Sequence, residues 1–185
     1  LPPNEDTLST YSVGPLLQWD TRDDQFYPTT GSFANFSAMF FGGDREYQTY
    51  RAEWNNYRSL GEDRVLGLRA FARTTGGDAP FYALSQFGMG SDLRGYTNGK
   101  YRDKAMFATQ AEYRQFLTYR WGFVLFAGVG EVMPGFDQIN WDNLLGSVGG
   151  GIRFRLSKEN PVNMRFDWAY GKDGAATYLQ VNEAF

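Results

Sequence analysis

Residues 162–171 read VNMRFDWAYG, and the fold turns on how those ten positions are read. Successive side chains of an extended chain point to opposite faces. Val162, Met164, Phe166, Trp168 and Tyr170 therefore share one face, while Asn163, Arg165 and Asp167 share the other. One side is greasy and aromatic, the other is charged. The length also fits a tilted strand crossing a bilayer, which takes about 9–11 residues.

The same period recurs along the chain. Segment 104–116 sets Ala105, Phe107, Ala111 and Tyr113 against Lys104, Gln110, Glu112 and Arg114. Segment 144–156 sets Val148, Ile152, Phe154 and Leu156 against Ser147, Arg153 and Arg155. Segment 47–58 opposes Tyr50, Ala52 and Trp54 to Thr49, Arg51, Glu53 and Asn55, and segment 64–75 opposes Leu66, Leu68, Ala70 and Ala72 to Arg69 and Arg73. Weaker alternation runs through 12–22, 31–42, 121–132 and 177–185, which makes nine segments. Eight is the count if 12–22 is not a full strand. Turn chemistry separates them: Pro28 and Gly31 in 24–31, the polar run 60–63, and SKENP at 157–161. Two connections are longer, 76–103 and about 133–143. No linker or low-complexity stretch interrupts the pattern, so residues 1–185 read as one domain.

Composition narrows the class. A net charge of −3 offers no basic surface for nucleic acid. With no cysteine, disulfides and thiolate metal sites are excluded, and with no histidine a Ser-His-Asp triad is impossible. The sequence thus points to neither an enzyme, a metal nor a cofactor. The longest apolar run, Gly122 to Gly130, is half of what a spanning helix needs, whereas alternating barrel strands keep mean hydropathy low. Aromatics make up 18% of the chain, enough for interfacial girdles. The opening LPPNEDTLST carries no secretory leader pattern.

The charged face separates two all-β readings. A sheet facing water favours lysine and glutamate, and this chain has only four lysines. Its polar positions hold Arg51, Glu53, Arg69, Arg73, Arg114, Arg153, Arg155, Arg165 and Asp167. Arginine forks and carboxylates suit a confined wet lumen where bidentate pairs form. The pattern predicts an antiparallel transmembrane β-barrel. The alternative is a soluble antiparallel sheet with a solvated arginine face. The final segment ends on Phe185, the aromatic finish of outer-membrane strands.

Three motifs in order carry a family resemblance. DTRDDQFYPTTG at 20–31 supplies Asp20, Arg22, Asp23, Pro28 and Gly31 in a D-x-R-D…P-x-x-G turn. GMGSDLRGY at 88–96 ends in the loop motif Leu93-Arg94-Gly95-Tyr96. GGGIR at 149–153, then RFDWAYG and the terminal VNEAF, form the last strands. Over essentially its whole length the chain resembles the C-terminal barrel region of the BamA/TamA family, the bacterial surface antigens. Within that family it looks most like short members without N-terminal periplasmic domains. The resemblance implies a bacterial outer-membrane location and the C-terminal part of a sixteen-stranded barrel, with the missing wall supplied by another protomer or an N-terminal half. It also implies that loop 76–103 folds back into the lumen, where Arg94 meets Glu112. The family's second acidic partner, an Asp on the next strand, is replaced by Gly128, which leaves one carboxylate for Arg94. Glu131 is the nearby substitute, although parity puts it on the lipid side or at the rim. The family's glycine near the end of the last strand is also absent from Gln180–Glu183, so no kink is expected there. In function, the resemblance implies a non-enzymatic barrel that helps insert or translocate polypeptide, in contact with outer-membrane lipid. The alternatives are a barrel that anchors or secretes an upstream passenger such as a lipase domain, and a small anion-conducting porin.

Overall fold

The computed structural model describes residues 8–88, 92–157 and 162–185. Met89–Ser91 of the loop motif and most of the SKENP turn lie outside the described residues. One antiparallel sheet dominates: β1 (Thr10–Val13), β2 (Leu16–Asp20), β3 (Gly31–Gly43), β4 (Tyr47–Ser59), β5 (Arg64–Gly77), β8 (Ala105–Phe116), β9 (Trp121–Met133), β10 (Leu145–Arg155), β11 (Asn163–Gly171) and β12 (Gly174–Val181). Two short strands, β6 (Ser85–Gln86) and β7 (Arg102–Asp103), pair with each other inside the long connection between β5 and β8. Each main strand pairs with its neighbours in sequence, so the topology is a meander.

β1 and β2 occupy a single position. Val13 faces Phe40 and Leu16 faces Ser37, so the register runs straight through Gly14-Pro15. Proline has no N–H to give the ladder, yet its carbonyl still accepts the amide of Ala38 at 3.1 Å. The sheet therefore has nine strand positions, and segment 12–22 contributes one of them. Nine antiparallel strands leave the first and last running in the same direction. Among the described residues these two edges do not pair.

The two faces invert the soluble pattern. Trp54 and Trp168 are 44% and 50% exposed on the outer face, while Arg94, Glu112 and Asp167 on the inner side are fully buried. Water would penalise both choices, because charges are rarely buried and large apolar patches are rarely bare. Hydrocarbon outside and a polar interior reverse both penalties.

The last segment departs from its expected course. The expected strand 177–185 ends on Phe185, but β12 stops at Val181. Asn182 then takes φ 73°, a left-handed conformation that asparagine tolerates better than most residues. That residue supplies the turn for which no glycine is present. Residues 182–185 fold inward: the Phe185 ring packs 6.5 Å from that of Tyr57, and its carbonyl accepts Arg114 Nη2 at 2.7 Å.

The D-x-R-D turn is built from carboxylates that accept backbone amides. Asp20 binds Arg22 in a fork, with Nε at 2.9 Å and Nη2 at 2.7 Å. Asp23 accepts the amides of Thr29 and Thr30, and Asp24 accepts those of Phe26 and Tyr27. Gly31 is required here, because its φ is +96° and a Cβ would sit 2.2 Å from the Thr21 carbonyl. So folded, the turn drives Tyr27 inward, edge-on to Phe116 at 5.5 Å and into a cluster with Tyr57, Val65 and Phe185.

Candidate functional site

The connection from β5 to β8 passes inside the sheet. Phe87, Leu93 and Tyr96 are buried with Phe71, Met106 and Leu145 in the largest apolar cluster. Inward glycines on the wall make the room. A Cβ on Gly130 would come 2.8 Å from Phe87, and one on Gly128 would come 2.9 Å from Leu93. Gly128 thus gives space to the loop motif rather than charge to its arginine.

Arg94 is held from four directions. Nη2 lies 2.6 Å from Glu112 and Nη1 lies 2.9 Å from Asp167. Nε donates to Gln110 at 3.4 Å. The guanidinium carbon rests 3.4 Å from the ring centre of Phe126, a cation–π contact in a site without water competition. A Cβ on Gly149 would fall 2.4 Å from that same ring, so the first glycine of the GGG run sets the shelf on which Arg94 lies.

The rest of the motif fastens the loop. Gly95 has φ +100°, and a Cβ there would press 3.1 Å from the Gly171 amide nitrogen. Its own amide donates to the Tyr178 hydroxyl at 2.9 Å. The Ser147 hydroxyl donates to the Arg94 carbonyl, and the Tyr96 hydroxyl donates to the Gly146 carbonyl. Contacts thus run to every strand from β8 to β12. An arginine set among glycines needs this close backbone approach on both sides.

The carboxylates of Arg94 are shared. Glu112 also binds Arg114 at 2.7 Å, while Asp167 binds Arg153 at 2.5 Å and Arg165 at 3.0 Å. Arg153 reaches on to Glu183 at 2.6 Å, and Asn163 donates to the same carboxylate at 2.9 Å. Four guanidiniums and three carboxylates alternate in one buried chain, extending from the loop to the inturned tail. Burying such ions is costly one at a time and tolerable only as a satisfied network.

The sequence-named charges divide into two groups. Arg94, Glu112, Arg114, Arg153, Arg165 and Asp167 converge. Arg51 and Arg69 form a separate set on Glu53, at 2.8 and 2.7 Å. Arg73 donates to the Ala83 carbonyl at 3.0 Å, and Arg155 stacks 4.0 Å over Phe116. The expectation of one carboxylate for Arg94 is corrected: Asp167, three strands away from Glu112, is the second. Glu131 is not a substitute, since it is buried at the rim and accepts the Asn140 amide at 3.2 Å. Tyr178 and Phe126 were not foreseen, and Ser147 was read only as a polar-face position. Inward parity on β9, β10 and β12 was the available signal for all three.

Beside the loop the interior stays open. A cavity of about 280 Å³ is lined by Ser37, Thr49, Arg73 and Asp92, and one of about 250 Å³ by Arg22, Asn55, Arg69 and Phe185; Arg51 borders both.

A meander that is apolar outside and charged inside, with an arginine loop folded into it, defines an outer-membrane β-barrel protein. A family model for the Omp85 superfamily domain matches residues 4–182, and the chain belongs to that superfamily, as its BamA/TamA-type motifs imply. Its place is the bacterial outer membrane. Among solved structures it is similar to BamA from Haemophilus ducreyi lacking POTRA domains 1-3, with a TM-score of 0.74 and 16% identity. That match covers 92% of this chain and 41% of the other. No curated protein sequence matches it.

Proposed function

We propose that this chain forms part of the wall of a non-enzymatic outer-membrane barrel that helps insert or translocate polypeptide. The remaining wall comes from upstream strands or another protomer, because open sheet edges are not tolerated in lipid. One observation carries the reading: in a chain of this superfamily, the loop motif is latched inside the sheet by Arg94 between Glu112 and Asp167. The latch holds the loop folded inside the lumen, and its release frees the space that the loop fills.

The test uses the protein containing this chain, reconstituted in liposomes. Wild-type vesicles should speed the folding of an unfolded outer-membrane polypeptide above the rate in empty vesicles. Replacing Arg94 by Ala should cost about 3 kcal/mol of stability, near the lower end for breaking a buried pair, because Arg114, Arg153 and Arg165 still neutralise the carboxylates. It should also raise single-channel conductance. Unaccelerated folding of the client, or an Arg94→Ala protein with unchanged heat-modifiability and conductance, would overturn the reading. A second reading, a passage for small anions, is favoured by Arg51 between the two cavities. Anion selectivity that is lost in Arg51→Gln and retained in Arg94→Ala would support it.

A further inference from the structure

On the outer face, a groove of about 520 Å³ is lined by Trp121, Ile152, Phe154, Met164, Phe166 and Leu179. That size lies within the ~300–1,000 Å³ typical of small-molecule sites. Strand register explains its shape. Trp121, Phe154 and Met164 form one rung, and Ile152, Phe166 and Leu179 form the next. Trp121 stands edge-on to Phe154 at 4.8 Å and makes one wall.

The groove opens at the end of the sheet that carries connections 21–30, 60–63, 117–120 and 156–162. The opposite end carries the short turns 44–46 and 172–173 and the two longest connections, 78–104 and 134–144. In outer-membrane barrels the longer loops are extracellular, so the mouth, at the other end, sits at the headgroup level of the inner leaflet. Arg120 stands there. Its guanidinium carbon is 5.6 Å from the Phe154 ring and 5.8 Å from that of Tyr119. Among the described residues no carboxylate pairs with it.

We propose that this groove is a specific phospholipid site, with one acyl chain along the two rungs and the phosphate on Arg120. The occupant follows from the chemistry at each end. A guanidinium fork matches phosphate geometry in two parallel hydrogen bonds, and every side chain below it is apolar. The inner leaflet supplies glycerophospholipid at this depth. The site also borders β12, an edge strand of the sheet among the described residues.

Native mass spectrometry of the protein in detergent, with a small molar excess of phosphatidylglycerol, tests this. Wild type should retain one lipid per chain. Arg120→Gln should lower that occupancy on the order of tenfold, the loss of one charge-assisted pairing. Ile152→Trp, which fills the groove and keeps the arginine, should do the same. Leu125→Trp, on the same lipid-facing surface but outside the groove, should leave it unchanged. All three side chains point away from the interior network, and each protein is scored after its heat-modifiable mobility is verified. Equal retention in wild type, Arg120→Gln and Ile152→Trp would mean annular lipid only and would overturn the proposal. So would equal loss in Leu125→Trp, or a bound mass equal to a second chain.

Discussion

The inner faces of β8–β12 and of β1–β4 carry the same alternation and end in opposite states. The first is filled: Arg94, Leu93 and Tyr96 are buried against it, and its own charges are paired. The second is covered at Tyr47, Asn55 and Tyr57 of β4 but stays open elsewhere. Leu16, placed inward by its register with the cavity-lining Ser37, is 61% exposed. The difference lies in spacing and charge order rather than in polarity. β9 and β10 hold glycines at inward positions, and β8 and β11 hold carboxylates within reach of one guanidinium. β3 and β4 have larger inward residues, such as Phe33 and Arg51, and these border open cavities.

The largest test of that contrast is Asp167→Asn. Asp167 meets three guanidiniums, so its neutralisation strands more buried charge than the loss of any other partner. Urea unfolding in detergent should show a loss of about 3–5 kcal/mol, exceeding that of Glu112→Gln. Equal losses would mean that the network is not centred on Asp167. Gly149→Val comes next. Its side chain would meet the Phe126 ring and the Trp168 carbonyl, and overpacking typically costs about 1–3 kcal/mol. Gly146→Ala, where nothing lies within 4 Å, is the control and should shift the midpoint little.

The open wall should respond weakly. Arg51 is half exposed, and Glu53 keeps Arg69 without it. Arg51→Gln should therefore change stability by less than about 1 kcal/mol, as exposed pairs do. A larger loss would show that this wall is also packed in the membrane. Smallest of all is an acid effect at the turn. Burial pushes the Asp23 carboxyl up, but hydrogen bonds from the Thr29 hydroxyl and the Thr30 and Thr29 amides outweigh it and hold it below its ordinary range. Its stabilising contribution is present above the unfolded value of about 3.9 and is lost as pH falls through the lower folded one. Asp23→Asn should flatten the unfolding midpoint over that acid window, and an unchanged slope would count against the turn's role.

Parity made the faces legible at once. Whether a side chain points in or out depends only on its neighbours in sequence, so VNMRFDWAYG assigned Arg165, Asp167 and Trp168 without further help. Arg94 and Glu112 were joined by family likeness, and the structure places them in contact. Asp167 was read only as a lumen charge. Its meeting with Arg94 spans 73 residues and depends on how the sheet curves around the loop. The inturned tail was missed for a related reason: QVNEAF continues an alternating strand in sequence, and only Arg153, Asn163 and Arg114 waiting inside make the inward course favourable.

By itself the sequence determined that this is an all-β chain of eight or nine strands, with an oily face, a charged face and an arginine loop in the connection 76–103. Those features follow from period, turn chemistry and residue type, which act over a few residues. Tertiary structure alone decided which carboxylates neutralise Arg94, that the tail joins the same network, and that half of the inner wall stays open. Coulombic pairing and steric fit act through space, and the distances they need exist only after the sheet has curved.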